Sequence, residues 1–274
     1  KRKDRCHSSL PDPYGFFKSR LQRSESGILL KIMPKGKPAG EEKRWCCLCA
    51  YDGTDFAGWQ KQPNRRAIQD KIEEVLKEIF GSRIRTIGSG RTDAGVHAKG
   101  QVFHFDAPWT HPEQSLLQAM RVNFPEGVRP IKLRQVSGDF HSLYSATGKR
   151  YRYRACKGWA EPEIDRFVLS LKEKKPDLVR MKEGATFFVG EHDFSAFSAS
   201  RGGEEKEDSK IRKVWKMDVF EEGVEVHFLV EGSGFLYKMV RSMVGALLDV
   251  GVGKIEPSEI LDILNSKLRT ERVV

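Results

Sequence analysis

The sequence predicts a mixed α+β fold with a largely antiparallel sheet flanked by helices. Apolar residues recur at helical spacing in residues 67–80, and they alternate at period two in residues 224–230. Segments of the two kinds interleave along the 274 residues, and hairpin-length turns separate neighbouring strands. This order is typical of α+β domains, in which strands often pair with neighbours close in sequence.

Residues 45–150 are predicted to form an N-terminal half. Residues 45–51 (WCCLCAY) predict a buried strand, which Asp52-Gly53 ends with turn chemistry. The helix over 67–80 closes at Gly81, because glycine readily adopts the left-handed conformation found after helices. The remaining elements of this half are strands over 83–87 and 101–106, a helix over 112–124, and strands over 128–136 and 149–157.

Residues 151–274 are predicted to form a C-terminal half with the same mixture of elements. Its two central strands are joined at Glu221-Glu222-Gly223, which indicates a hairpin. The predicted order is a helix over 177–189, a loop over 190–200, a charged linker over 200–209, strands over 213–220 and 224–230, and helices over 235–250 and 257–268.

Residues 1–44 differ from the rest, since they hold twelve Lys or Arg against five Asp or Glu and show little periodicity. We predict a flexible basic arm there. The arm could contact RNA or could be the end of an organelle targeting peptide. The compartment is therefore left open between the cytoplasm, the nucleus and an organelle such as a plastid or mitochondrion.

Charge, hydropathy and cysteine content narrow the kinds of partner, compartment and metal site to be expected. The net charge of +10 favours anionic partners, above all nucleic acid or an anionic membrane surface. No run of 18 uninterrupted apolar residues predicts a membrane span. Five cysteines without regular spacing fit a reducing compartment, and Cys46, Cys47 and Cys49 are interpreted as small apolar residues of a strand rather than zinc ligands. No metal site is predicted.

A glycine-rich loop places one carboxylate, Asp93, just before an alternating strand. Gly88, Gly90 and Gly95 allow the backbone to approach a ligand closely. Arg91, two residues before Asp93, is predicted to face the same way and to hold either a substrate phosphate or the neighbour of an extruded base. An aspartate in such a loop is most often a helix cap or turn residue, and spacing alone leaves that alternative open.

Two further segments carry candidate binding residues. In KRYRYR (149–154), Tyr151 and Tyr153 share one strand face and three arginines share the other. This arrangement suits an RNA-binding strand, in which the tyrosines stack on bases and the arginines contact phosphates. It suits equally well an ordinary strand with its tyrosines buried and its arginines in water. In FLYKMVR (235–241), Lys238 and Arg241 lie three residues apart on an otherwise apolar predicted helix. An arginine there is costly to bury unless a carboxylate meets it.

These residues suggest a nucleophile with an ionic partner. A carboxylate in a partly dry pocket stays ionised at neutral pH only if a positive charge offsets its burial, and an adjacent arginine typically lowers an aspartate pKa by about 1–3 units. Arg241 is the predicted partner of Asp93.

Six blocks of the chain resemble the tRNA pseudouridine synthase TruA family, in the same order and over about residues 50–253. The most specific is GRTDAGVHA. The blocks are YDGT with GWQ (51–60), GRTDAGVHA (90–98), FH (140–141), RYRY (150–153), GEHDF (190–194) and GFLYKMVRSMVG (234–245).

The resemblance implies a fold of two RRM-like halves that share one sheet, with a basic cleft between them. It also implies an activity: isomerisation of uridine to pseudouridine in tRNA, typically in the anticodon stem-loop, without metal or cofactor. Bacterial members of the family are homodimers, so a homodimer that binds tRNA is expected.

Individual positions carry implied roles. Asp93 matches the catalytic nucleophile, Tyr151 the tyrosine that stacks on uracil, Arg91 the arginine that fills the gap left by the flipped nucleotide, and Arg241 the partner of the nucleophile. Leu236 is expected in the apolar wall of the pocket, and Lys238 is expected to contact substrate.

The chain departs from the family at two places. Ser142-Leu143-Tyr144 follows Phe140-His141 where the family usually has a small residue, an arginine and an aromatic residue. The final strand of the family, beyond the last helix, is also expected to be missing before Val274. A non-catalytic RNA-binding paralogue that keeps the cleft is therefore the alternative to an active enzyme.

Overall fold

The computed structural model describes residues 40–63, 65–199 and 209–269. Residues 1–39, which make up nearly all of the predicted basic arm, lie outside these ranges, as does most of the predicted linker over 200–209 and the end of the chain after 269. The first strand begins at Glu42, so the predicted boundary of the arm at residue 44 falls inside a strand.

The first half of the described chain forms a four-stranded antiparallel sheet with two helices. Its chain order is strand, helix, strand, strand, helix, strand, and its spatial order is β2-β3-β1-β4. The elements are β1 (Glu42–Tyr51), α1 (Ile68–Phe80), β2 (Ile87–Gly88), β3 (Ala98–Pro108), α2 (Glu113–Asn123) and β4 (Val128–Val136).

Alternation along β1 explains how this sheet packs. Trp45, Cys47, Cys49 and Tyr51 are buried, and the residues between them are partly exposed. The buried side chains pack with the apolar faces of the two helices into one core. Burying each large apolar side chain is worth about 1.5–3 kcal/mol, so the period-two pattern fixes which sheet face the helices cover. Cys47 and Cys49 lie in this core, as predicted, whereas Cys46, which was grouped with them, is only partly buried.

The second half forms a five-stranded sheet in the order β6-β5-β9-β8-β7. The hairpin between β8 and β9 turns at Gly223, whose φ of 61° is left-handed. The elements are β5 (Lys149–Cys156), β6 (Leu169–Ser170), α3 (Leu178–Thr186), β7 (Gly190–Asp193), β8 (Ile211–Glu222), β9 (Glu225–Gly232), α4 (Met239–Gly251) and α5 (Glu259–Ser266). Helices α3, α4 and α5 pack with β5, β8 and β9 around a second core.

The prediction of one shared sheet is not what the hydrogen bonds show. The described strands form two separate sheets, and β2 at the edge of the first contains only two residues. The amide of Thr86 donates to the Glu73 carboxylate at 2.9 Å, and its carbonyl accepts from Gln69 Nε2 at 2.8 Å. Side chains of α1 therefore occupy backbone groups that a longer strand over 83–87 would use.

Two other elements differ from the prediction. The helix expected over 235–250 begins at Met239, because Lys238 adopts a left-handed conformation with φ of 59°. Residues 190–193, expected in a loop, pair with β8 as the edge strand β7. Within the described ranges, no helix is both long and apolar enough to cross a membrane.

Candidate active site

The loop that carries Asp93 (residues 89–97, the Asp93 loop) is held at its start by β3. The amide of Ser89 donates to the Val102 carbonyl at 2.8 Å. The amide nitrogen of the Gln101 side chain donates to the Gly90 carbonyl at 2.7 Å, while Ser89 Oγ donates to Gln101 Oε1 at 2.9 Å. Gln101 is buried, so these bonds are shielded from water and fix the direction in which the loop leaves the sheet.

The middle of the Asp93 loop is held by the segment that follows β1. The amide of Trp59 donates to the Thr92 carbonyl at 3.0 Å, and the Thr92 hydroxyl lies 2.8 Å from the Tyr51 hydroxyl. Gly58 approaches the loop so closely that an added Cβ would overlap the Thr92 carbonyl oxygen and lie 3.0 Å from the carbonyl carbon of Asp93. Gly58 also has a left-handed φ of 91°. The segment around Gly58 can approach the backbone of Asp93 this closely only because residue 58 is glycine.

The end of the Asp93 loop is held by His97. The amide of Gly53 donates to His97 Nδ1 at 3.1 Å. His97 Nε2 then donates to the Arg166 carbonyl at 3.3 Å, and the imidazole packs against Phe167 with ring centroids 4.8 Å apart. The histidine thus joins the first half to the 3₁₀ turn Asp165–Phe167 of the second half.

A carboxylate stands beside this histidine. Asp52 Oδ1 lies 3.1 Å from His97 Nδ1 and accepts a hydrogen bond from the Thr54 hydroxyl at 2.6 Å. Burial opposes ionisation of Asp52, but the hydrogen bonds from Thr54 and the nearby positive charges of His97 and Arg166 outweigh it and hold the pKa of Asp52 below its usual value. Sequence analysis did not assign a function to His97, because its partners lie 44 and 69 residues away.

We expect His97→Ala to lower kcat by about tenfold, because the Asp93 loop loses its link to both halves and small misplacements are costly in catalysis. His192→Ala is the matched control, since His192 Nε2 also contacts a backbone carbonyl, that of Val189, at 3.3 Å but lies on β7. Rates at saturating substrate measure both variants. Equal kcat values for the two would show that His97 does not position the loop.

Tyr151 lies on β5, half-buried beside the Asp93 loop. Its ring meets that of Phe235 edge to face, with centroids 5.4 Å apart and planes at 88°. Burial raises the pKa of the Tyr151 hydroxyl, and the negative charge of Asp93 raises it further. The structure therefore brings the predicted stacking residue into the electrostatic field of the predicted nucleophile, which is itself half-buried.

Lys149, at the start of β5, is a neighbour of the loop that the sequence did not identify. A Cβ added to Gly90 would lie 3.2 Å from Lys149 Nζ, so the loop passes directly over this ammonium group. Burial lowers the pKa of Lys149, and the positive charge of Arg212 lowers it further. The only signal in the sequence was its place at the start of the KRYRYR strand.

The arginines of the same strand are engaged elsewhere. Arg154 forms two charge-assisted hydrogen bonds with Glu225, at 2.6 and 2.5 Å, and Arg150 Nε donates to Glu231 at 2.8 Å. Arg152 lies over the Phe220 ring at 5.8 Å. These contacts favour the second interpretation of the strand, in which its arginines stabilise the outer face of the sheet rather than bind phosphates.

The segment before α4 differs from the predicted helix. Leu236 is 5% exposed and packs in the second core, so its neighbour Phe235 supplies the apolar edge beside Tyr151. Lys238 is exposed, and its Nζ lies 5.5 Å from the centroid of the Tyr237 ring. Because Lys238 precedes the helix in a left-handed conformation, Lys238 and Arg241 do not share a helix face as predicted.

The two predicted arginines of the site are both exposed. Arg91 lies in the Asp93 loop, and Arg241 lies in the first turn of α4. Among the side chains that the structure describes, Arg241 forms no ion pair. Its pairing with Asp93 therefore stays a prediction, as does the role of Arg91.

Comparison with known proteins identifies the family. A family model described as tRNA pseudouridine synthase matches residues 48–145 and 185–274, which include the Asp93 loop and α4. One solved chain, from a Cbf5-Nop10-Gar1 complex, is 18% identical, covers 75% of this chain and 54% of its own length, and has a TM-score of 0.32, which is too low to carry an argument.

Curated relatives named tRNA pseudouridine synthase A match over most of both chains. The relative from Oceanobacillus iheyensis is 40% identical over 230 residues, which cover 84% of this chain and 90% of the relative. The relative from Halalkalibacterium halodurans is 42% identical and covers 83% and 86%, and that from Chlamydia trachomatis serovar A is 42% identical and covers 80% and 82%. With the family model, these matches show that the chain belongs to the TruA family of tRNA pseudouridine synthases.

Proposed function

We propose that Asp93 is the nucleophile with which this tRNA pseudouridine synthase converts uridine to pseudouridine. The observation that carries the proposal is the position of Asp93 in a loop held at its start, middle and end, where its charge acts on the half-buried Tyr151. A carboxylate fixed in this way loses little conformational freedom when it attacks, which is one requirement of efficient covalent catalysis.

The reaction that we propose is an isomerisation in which no atom is gained or lost. A carboxylate oxygen of Asp93 forms a bond to C1′ of the ribose while the bond from C1′ to N1 breaks and its electron pair stays on the uracil. The uracil turns within the pocket, and C5 attacks C1′ and displaces the carboxylate. The proton on C5 is lost and N1 gains a proton, so no cofactor is required. Attack of Asp93 on the uracil ring is the alternative route.

We propose that the target nucleotide leaves its stack and that its uracil lies on the ring of Tyr151, as base-modifying enzymes generally require. Phe235 supports this ring edge to face at 5.4 Å. The Tyr151 hydroxyl is protonated at neutral pH, because a tyrosine pKa is ordinarily about 10 and burial raises it here, so this hydroxyl adds no negative charge to the site. Arg91 then fills the space left by the nucleotide, Arg241 pairs with Asp93, and Lys238 contacts a phosphate near the flipped nucleotide, while Leu236 supports the pocket from the core.

We expect Tyr151→Phe to retain most activity and Tyr151→Ala to lose at least about tenfold more. A stacked base is worth about 1–3 kcal/mol and needs the ring but not the hydroxyl. Release of tritium from C5 of labelled uridine in tRNA, in single turnover, measures both variants. Tyr153→Ala is the matched control for lost packing, because Tyr153 packs against the same core two residues along. Equal losses in Tyr151→Phe and Tyr151→Ala would contradict stacking.

The anticodon stem-loop is the proposed target region within tRNA. It follows from the family resemblance together with the need for an extruded base, since loop nucleotides cost least to unstack. Mapping of pseudouridines in tRNA transcripts treated with the enzyme tests it. We expect modification at uridines of the anticodon stem-loop, and modification confined to other arms would contradict this assignment.

We also propose that each half is RRM-like and that the active protein is a homodimer with a basic cleft. The strand-helix-strand-strand-helix-strand order of the first half and its sheet order support the RRM-like description, because a β-α-β-β-α-β arrangement is typical of that class. The net charge of +10 supports the basic cleft. Light scattering after gel filtration tests the dimer: we expect twice the chain mass of 31.2 kDa, and the chain mass itself would contradict it.

A further inference from the structure

A row of exposed side chains lies beside β2 and is not used by the proposed reaction. Arg83, Arg85 and Ile87 are exposed, whereas Ile84 and Thr86 between them are buried, so the three exposed side chains alternate outward. The three residues line a groove of about 360 Å³, and His141 also contributes to its lining. Tyr144, which stacks on His141, is 81% exposed. We call these five residues the β2 strip: Arg83, Arg85, Ile87, His141 and Tyr144.

The groove carries an excess of positive charge. Arg44 and Asp106 in its wall neutralise each other through two hydrogen bonds of 2.7 Å. Arg83 and Arg85 form no ion pair with a side chain of the described ranges, and the remaining acid in the groove is Glu42. Two exposed guanidinium groups are therefore available to an anionic partner, and they stand on one row beside the groove.

An aromatic stack begins at His141, in the lining of this groove. The rings of His141 and Tyr144 lie 4.3 Å apart with planes at 25°, and His141 meets His104 edge to face at 4.9 Å. The buried hydroxyl of Ser142 donates to the Ile87 carbonyl at 2.5 Å, and His104 Nδ1 accepts from the Ser142 amide at 3.2 Å. The segment that presents Tyr144 is therefore fixed to β2, and one face of the Tyr144 ring remains open.

The β2 strip is continuous with the candidate active site. Ile87 pairs with His104 and Gly88 with Phe103, and the chain then enters the Asp93 loop at Ser89. An RNA strand whose nucleotide occupies the pocket of Asp93 and Tyr151 can therefore continue along β2.

We propose that the β2 strip binds the tRNA substrate outside the reaction pocket, with Tyr144 stacked on an unpaired base and Arg83 and Arg85 on flanking phosphates. An exposed aromatic ring near two arginines is typical of sites that bind single-stranded nucleic acid, because bases stack on aromatic faces and arginines neutralise phosphates. The proposal rests on the proposed function, since it assigns a second contact to the same substrate.

The charge contribution is tested by R83A combined with R85A in the full chain. We expect the dissociation constant for tRNA, measured by filter binding, to rise about tenfold at low salt, and the slope of log affinity against log salt to become shallower by about 1.4–1.8 because two phosphate contacts are lost. R83K combined with R85K should keep the slope. R129A combined with K132A is the matched control. It removes two exposed basic side chains from β4, at the opposite edge of the sheet, and should change the affinity for tRNA little.

The stacking contribution is tested by Y144A and Y144F in the same assay. We expect Y144A to weaken tRNA binding by about 5- to 150-fold and Y144F to bind as the wild type does, because the ring and not the hydroxyl makes the contact. In both variants kcat at saturating tRNA should stay unchanged. Equal affinities of Y144A and wild type, or of R83A/R85A and the β4 variant, would overturn the proposal.

These outcomes are separable from failure of the proposed function. If Asp93 were not the nucleophile, Asp93→Asn would release tritium while the binding losses of the β2 strip variants persisted. If the β2 strip did not bind tRNA, the variants would bind normally while turnover still required Asp93.

Discussion

Replacement of Asp93 by Asn is expected to abolish pseudouridine formation, with a loss of at least about 10³-fold in single-turnover rate. The amide preserves the size of the side chain but cannot donate an electron pair to C1′ as a carboxylate does. Tritium release from labelled tRNA and mapping of pseudouridine measure the loss. Affinity for tRNA should stay the same or increase slightly, because the variant removes one negative charge near the RNA.

The comparison that makes this result specific is Asp52→Asn. Asp52 is also a half-buried carboxylate near the Asp93 loop, but it accepts hydrogen bonds from Thr54 and stands beside His97. We expect a loss of about tenfold or less from Asp52→Asn, because it acts on the reaction only through the loop. Turnover by Asp93→Asn at a rate similar to that of Asp52→Asn would remove Asp93 from the role of nucleophile and would revive the assignment of a turn residue.

Replacement of Gly58 by Ala is expected to have the second largest effect. The new Cβ would overlap the Thr92 carbonyl oxygen, and φ of 91° is a strained conformation for alanine. We expect the free energy of unfolding to fall by about 2–4 kcal/mol, and Tm to fall by roughly 5–10 °C. Because the overlap displaces Thr92 and Asp93, kcat should fall by about 10²-fold as well.

Gly81→Ala separates backbone strain from displacement of the loop. Gly81 also has a left-handed φ, 66°, but an added Cβ there would meet no atom within 4 Å. We expect a small decrease in Tm and an unchanged kcat, since Gly81 ends α1 on the surface. Calorimetry and single-turnover rates measure both variants. A wild-type kcat in Gly58→Ala would show that the close approach of Gly58 does not position Asp93.

Local sequence was sufficient for the elements whose determinants are near in the chain. Helix α1 was predicted within one residue, because its apolar face and the left-handed Gly81 are both local features. The hairpin of β8 and β9 was predicted for the same reason, since alternation and the glycine turn lie within a few residues.

The predicted elements that differ from the structure do so because of tertiary contacts. The apolar spacing of residues 235–238 continues that of α4, but Leu236 packs into the core and Phe235 meets Tyr151, so the chain turns at Lys238. The strand over 83–87 was predicted too long because the side chains of Glu73 and Gln69, on the preceding helix α1, bind the backbone of Thr86. Neither contact is visible in hydrophobic periodicity.

The candidate site was predicted as a set of residues rather than as a geometry. The GRTDAGVHA block identified Asp93, but nothing in its spacing indicated that Gly58 and His97 hold the loop. These contacts join segments more than 30 residues apart, so they appear only once the chain is folded. Arg241 was assigned as the partner of Asp93 from its place on an apolar predicted helix and from the family resemblance, and the test of this pairing requires a complex with RNA.

The central claim is that the carboxylate of Asp93 stands at the reacting carbon of a uridine stacked on Tyr151. A crystal structure of the Asp93→Asn variant bound to tRNA tests it most directly, through the distance from Oδ1 of residue 93 to C1′ of the extruded nucleotide. We predict about 3–3.5 Å, the separation of atoms poised to react, with the uracil parallel to the Tyr151 ring. A target nucleotide seated elsewhere, with residue 93 turned toward solvent, would contradict the account.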